Sequence, residues 1–436
     1  MKRFFTTIKN IFSIEDLRVR ILNTIGFLII FRLGSYIVLP GVDPNLLSGN
    51  QGGIFDLLNT FLGGSFSRAS IFALGIMPYI SASIVVQLLT VAVPHFTKLQ
   101  KEGESGRKKL NQFTRVLTII ITAAQSYGYI RATVNAEAIL NPGMFFTVSS
   151  IIILIAGTMF CMWLGERITD KGIGNGISML IMIGIVSRFP AAIYQEIDAK
   201  GMNGMLLFIL EVLALFFVVV GVIALTQATR RIPVQYAKQV VGNKLYGGKR
   251  DFIPLKLNSA GVMPIIFAQA LMFIPPLVAQ IWQDSDLGSY VGSTFADFTS
   301  WQYNLLFAVL ILIFTFFYTA ITVPSNDIAD NLKRNGGFVP GIKPGKQTAE
   351  FIDSILSKIT LPGAIFLAAV AILPAFAVKA GITQNFAQFY GGTSLLILVG
   401  VVLDTLQQVE SYLLMRHYEG MMKSGRVKGR SQFAAA

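Results

Sequence analysis

The side chains that most often carry chemistry are few here and poorly placed for it. Only two histidines occur, His95 and His417, both beside basic loop stretches. Neither suits a histidine nucleophile relay or a zinc site on an apolar helix. The single cysteine, Cys161, lies in the apolar run MFCMWL. Alone it forms no intrachain disulfide and no thiolate metal site, and it reads as a small buried or lipid-facing hydrophobe. The three glycines of KGIGNGIS, Lys171 to Ser178, invite a phosphate-loop reading. That reading fails, because no Gly-Lys-Ser/Thr follows at Walker spacing and no strand precedes. The stretch fits a tight turn, with Asn175 and Gly176 opening the next helix. No catalytic residue, metal or cofactor is expected, and hydrolytic and redox enzymes are set aside.

What remains is a thin set of polar residues inside long apolar runs. Arg32, Glu211, Asp404 and Glu410 are the ionisable ones. Glu211 and Glu410 lie within about two turns of a run's end, where snorkelling accounts for them. Arg32 and Asp404 read as structural, satisfied by neighbouring helices. Uncharged polar residues are more frequent: Ser81, Ser83, Gln87, Gln125, Ser126, Asn258 and Gln269. Bonding between packed helices explains them, and a helix seam that opens would use the same residues.

The elements that must position these residues follow from composition. The 436 residues carry 36 Lys+Arg against 23 Asp+Glu, a formal charge of +13, yet only 14% are charged and 53% are apolar. Mean hydropathy is +0.62. Too few polar side chains exist to coat a water-facing globule, so the chain reads as an integral membrane protein. Windows of about 20 apolar residues fall near 21–39, 71–93, 113–134, 144–165, 176–194, 205–226, 259–281, 303–323, 359–378 and 393–415. The first is too long for a signal-peptide core and lacks a cleavage site, so it reads as a retained span. With the N-terminus in the cytoplasm, cytoplasmic segments hold 30 Lys+Arg and outside segments 5. That bias places both termini in the cytoplasm. Ten spans also permit two inverted halves, 1–195 and 205–415, before a basic tail at 416–436.

One apolar segment is too short to cross. Ile54, Leu57, Leu58, Phe61 and Leu62 recur at helical spacing between Gly52-Gly53 and Gly63-Gly64. About a dozen residues at 1.5 Å rise cover only some 18 Å. The segment is re-entrant or lies flat on the outer leaflet. The cytoplasmic loops 227–258 and 324–358 mix basic residues with Tyr236, Tyr246 and paired turn signals such as Pro340-Gly341 and Pro344-Gly345. They read as projecting hairpins, and their charge suits anionic headgroups or an anionic partner such as RNA.

Five stretches, GIMPYISASIVVQLL (75–89), KEGESGRKK (101–109), WLGERITDKGIGNGIS (163–178), FVPGIKPGKQT (338–348) and GGTSLLILVGVVLDT (391–405), resemble in order the motifs of the bacterial SecY family, channel subunits of the protein-conducting translocon. The resemblance runs from about residue 20 to 430. It implies an all-α polytopic membrane protein, ten helices in two inverted five-helix halves forming a clamshell, with a short plug helix near 54–66 that includes Phe55. It implies a pore ring of Ile76, Ile80, Ile181, Ile266 and Ile397, and polar gate residues Ser81, Gln125 and Asn258. On the cytoplasmic loops, Lys238, Lys244, Lys333, Arg334 and Lys343 are expected to form an electropositive docking surface. The family commonly reads VPGIRPG where this chain has Lys343, which keeps the charge and loses the bidentate fork.

The function so implied is passage of unfolded secretory chains across the bacterial cytoplasmic membrane, with sideways release of apolar segments into lipid. The implied partners are SecE, SecG, the SecA ATPase, the ribosome, signal peptides with their nascent chains, and membrane lipids. A secondary transporter of a small solute is the alternative from another class. Scarce midplane ionisable groups and the basic loops count against it.

Overall fold

A computed structural model describes residues 14–47, 59, 62–134, 138–201, 204–236, 239–241, 244–246, 250–272, 290, 294–295 and 297–423. The architecture is helical. In chain order come α1 (Glu15–Gly34), α2 (Met77–Ala92), α3 (Pro94–Lys101), α4 (Glu104–Thr133), α5 (Met144–Lys171), α6 (Gly176–Lys200) and α7 (Met205–Gln227). Four strands follow: β1 (Thr229–Tyr236), β2 (Gln239–Val241), β3 (Lys244–Tyr246) and β4 (Arg250–Lys256). Then come α8 (Met263–Leu271), α9 (Trp301–Thr322), α10 (Ser325–Arg334), β5 (Gly337–Phe338), α11 (Lys346–Lys379), α12 (Gln384–Ala387) and α13 (Gly392–Lys423).

Among the described residues α5, α6, α7, α9 with α10, α11 and α13 are long and apolar enough to span a bilayer. A seventh span results if α2 and α3, which meet at a 99° bend, count as one. The bend has a local cause: Val93 is extended and Pro94 cannot donate back into α2. α1 begins six residues before the apolar run at 21–39 and ends at Gly34, so it carries Arg18, Arg20 and Arg32 within its length. The run at 71–93 becomes helical only from Met77. Residues 62–76 are held instead in tight turns, with positive φ at Gly63, Gly64, Ala69 and Gly75.

The chain divides into two compact units, residues 1–188 with 400–436 and residues 189–399, and the division falls within α6 and within α13. In unit 1, α4 packs between α2 and α5, and α1 packs on α5. Its core gathers Leu39, Val42, Leu62, Phe66, Leu74, Tyr129, Phe146 and Leu154. The turns at 62–76 are sewn to the chain leaving α1 through Leu39 N–H to Ala69 O (2.8 Å) and Ile71 N–H to Ile37 O (2.9 Å).

The KGIGNGIS turn also lies in unit 1. Asn175 Oδ1 accepts from the N–H groups of Ile177 (3.1 Å) and Ser178 (3.3 Å), capping the start of α6. Gly174 takes φ +83° and donates its N–H to Gln408 Oε1 at 2.8 Å. Ile173 N–H reaches Thr24 Oγ1 at 3.0 Å, and Arg20 bonds the Gly172 carbonyl while lying over the Tyr412 ring. The turn is thereby fixed to α1 on one side and α13 on the other.

In unit 2, α9 packs along α11 and α8 along α9. β1 lies between β4 and β5 in an antiparallel three-stranded sheet, with Ile232 opposite Ile253 and Tyr236 opposite Gly337. The sheet joins the two basic loops, 227–258 and 324–358. Ile232, Val234 and Leu255 bury their side chains with Leu332, Val339, Ile352 and Leu356, so strands, α10 and the first turns of α11 share one small core.

Candidate functional site

Ile76 is the N-cap residue of α2, 4% exposed, and Ile80 N–H donates to its carbonyl at 3.0 Å. The two side chains therefore stand one turn apart on one face of the helix. Pro78 fills an early position where no N–H is needed. Ile181, half-buried, lies on α6 of the same unit. In unit 2, Ile266 lies half-buried on α8 and Ile397, 5% exposed, on α13. All five positions are branched, apolar and within or at the start of helices.

Of the short segment, Leu62 is described and buried in the unit 1 core. Ile54, Phe55, Leu57, Leu58 and Phe61 lie outside the described residues. The stretch following them is strongly held. Tyr129 donates its hydroxyl to Phe66 O at 2.6 Å while its ring meets Phe66 edge-on, and Arg32 Nη1 reaches Gly63 O at 3.4 Å. Arg32 thus has the structural partner expected of it, whereas Asp404 lies on the exposed side of α13.

Ser81 and Gln125 sit on neighbouring helices of unit 1. The Ser81 hydroxyl donates to its own helix at Met77 O (3.2 Å), and Gln125 is exposed. Asn258 precedes α8 in unit 2, is 8% exposed, and its Oδ1 has no hydrogen-bond partner among the described residues. On the basic loops, Lys333 and Arg334 end α10 and Lys343 follows β5; Lys333 is buried to an intermediate degree or less and the three are solvent-accessible. Lys244 lies on β3, and Lys238 is outside the described residues.

One ionic cluster departs from the sequence reading. Glu211 does not snorkel: it is 6% exposed and takes a 2.7 Å bond from Lys200 Nζ. Lys200 also pairs with Glu196 at 3.5 Å and donates to Gly381 O at 3.0 Å. Thr383 donates both its backbone N–H (2.9 Å) and its hydroxyl to Glu196 Oε2, and the Tyr390 hydroxyl bonds Glu211 O at 2.5 Å. The cluster ties α6 and α7 to the segment 381–390. Spacing alone signalled part of it, because Glu196 and Lys200 are four apart on a helix. Glu211 pairs inward because Lys200, at the end of the preceding helix, reaches it across the short turn.

A family model described as SecY matches residues 70–406. The chain belongs to the SecY family. It is 42% identical over 440 residues to a protein translocase subunit SecY of Streptomyces coelicolor, covering 96% of this chain and all of that one. A protein translocase subunit SecY of Mycobacterium tuberculosis is 40% identical, covering 94% of this chain and 97% of that protein. Among solved structures, a protein-conducting channel aligns at TM-score 0.61 with 18% identity, covering 90% of this chain and 92% of the other. Sec61 from a canine ribosome–channel complex aligns at TM-score 0.57 with 17% identity and the same coverage. At these identities the structural likeness concerns the fold. The family is one of translocase subunits, so the chain is an all-α polytopic membrane protein, a protein-translocating channel subunit and not an enzyme.

Proposed function

We propose that this subunit conducts unfolded secretory polypeptides across the cytoplasmic membrane of a bacterium and releases their apolar segments sideways into lipid. The supporting observation is the set Ile76, Ile80, Ile181, Ile266 and Ile397, isoleucine at every position where the family resemblance puts the constriction. A ring of branched apolar side chains excludes ions by dewetting, since a hydrated ion would shed water without polar replacement, yet it can yield around a peptide. The reading takes ten spans in two inverted halves, 1–195 and 205–415. Residues 54–66 serve as plug, and Ser81, Gln125 and Asn258 line the lateral exit. The 30-to-5 charge bias supports a cytoplasmic side for both termini and the tail 416–436.

Energy must come from a partner, because the sequence holds no nucleotide motif. SecA or a translating ribosome would dock on Lys238, Lys244, Lys333, Arg334 and Lys343, with SecE and SecG beside the subunit in the membrane. Signal peptides and nascent chains are the substrates. The test is reconstitution with these partners in proteoliposomes, followed by the protease protection of a secretory precursor and the uptake of labelled small solutes. Protected precursor without solute uptake is expected. Solute uptake without protection would overturn the reading.

A further inference from the structure

Ile266 and Ile397 stand on separate helices of unit 2. α8 has no side-chain cap and starts at a proline turn, and its packing runs along α9. One buried side-chain bond reaches from it to α13: Thr393 Oγ1 donates to Gln269 Oε1 at 2.5 Å. Both residues are nearly closed to solvent, at 6% and 7% exposure. Gln269 lies three residues after Ile266, and Thr393 lies four before Ile397. Each bonding residue therefore sits one helical turn from an isoleucine and on the same face of its helix. A buried amide–hydroxyl bond is expensive to open, because neither group finds water when its partner moves away.

We propose that Gln269 and Thr393 are positioning residues that set the separation of Ile266 and Ile397, and with it the resting aperture of the ring on the unit 2 side. The proposal rests on the ring reading above. Neither residue touches the passing chain. They act through the rigid turns that connect them to the isoleucines, so a bond between α8 and α13 determines how tightly the apolar side chains close. General helix glue is the competing role, and it predicts a loss of stability with no change in aperture.

The test uses the full chain reconstituted with its membrane partners, in two assays. The first is resting ion conductance. The second is cross-linking of Ile266→Cys to Ile397→Cys by bismaleimides of graded length, on a Cys161→Ala background. Thr393→Val and Gln269→Met should each raise resting conductance several-fold and shift cross-linking toward longer reagents. The double variant should do no more than the larger single, because both remove one bond. Thr393→Ser keeps the donor and should restore both readouts. Ile266→Ser and Ile397→Ser test the ring itself. If these raise conductance while Thr393→Val and Gln269→Met leave conductance and cross-linking length unchanged, the positioning proposal is overturned and the ring stands. If the isoleucine variants change nothing, the ring reading falls, and the cross-linking lengths still decide whether the bond sets the separation.

Discussion

Replacing Lys200 by methionine should be among the most damaging single changes outside the pore. The substitution keeps the length of the side chain and removes the cation that, among the described residues, pairs with both Glu196 and Glu211. At an effective dielectric constant of 20, the pair at 2.7 Å is worth about 6 kcal/mol of Coulomb energy and the pair at 3.5 Å about 5. Desolvation of the three groups offsets most of that sum. What the variant exposes is the remainder: two carboxylates, 0% and 7% accessible, left without their shared cation. Removing one partner of a buried pair costs about 3–5 kcal/mol, and the lower end applies because 13% of the Lys200 side chain meets solvent. Glu211→Gln leaves Lys200 and Glu196 balanced and should cost about 1–2 kcal/mol. Denaturant unfolding of the purified subunit in detergent, followed by tryptophan fluorescence, gives both values. Equal stability of Lys200→Met and the parent, or a Glu211→Gln variant less stable than Lys200→Met, would refute the reasoning.

Three further outcomes are expected. Lys343→Glu should lower motor-driven precursor translocation several-fold at unchanged protein level, measured by protease protection, while Lys343→Arg is tolerated because the exposed side chain keeps its charge. Serine at several of Ile76, Ile80, Ile181, Ile266 and Ile397 should raise resting ion conductance in planar bilayers, with smaller effects from single changes, and Val85→Ser, at an exposed position of α2, should not match them. Gly174→Ala should destabilise by roughly 1–3 kcal/mol in the same unfolding assay, since φ is +83° there and the added Cβ would lie 3.0 Å from Met179 and 3.1 Å from Thr405.

The spans are legible in the sequence where apolarity runs unbroken, as in α5, α7 and α11, because lipid demands it residue by residue. They are less legible where a neighbour intervenes. α2 starts at Met77 rather than near 71 because the turns before it are bound to residues 37–39, a pairing distant in sequence and invisible to a hydropathy window. Glu211 shows the same limit for the site. Its place near a span's end suggested a head reaching for water, yet the decisive facts were the turn bringing Lys200 back and the Tyr390 hydroxyl on its carbonyl. The capped turn at Asn175 was readable because its signal is local: a short amide side chain reaches N–H groups two and three residues ahead.

The three-stranded sheet has a mechanical consequence. β1 and β4 belong to one basic loop and β5 to the other, and their shared core includes Ile352 and Leu356 of α11. α11 is 34 residues long in all, about 51 Å at helical rise. A load applied to either loop is therefore borne by both and passes into the same rod. Under the docking proposed above, a partner held at either loop would load the same helix.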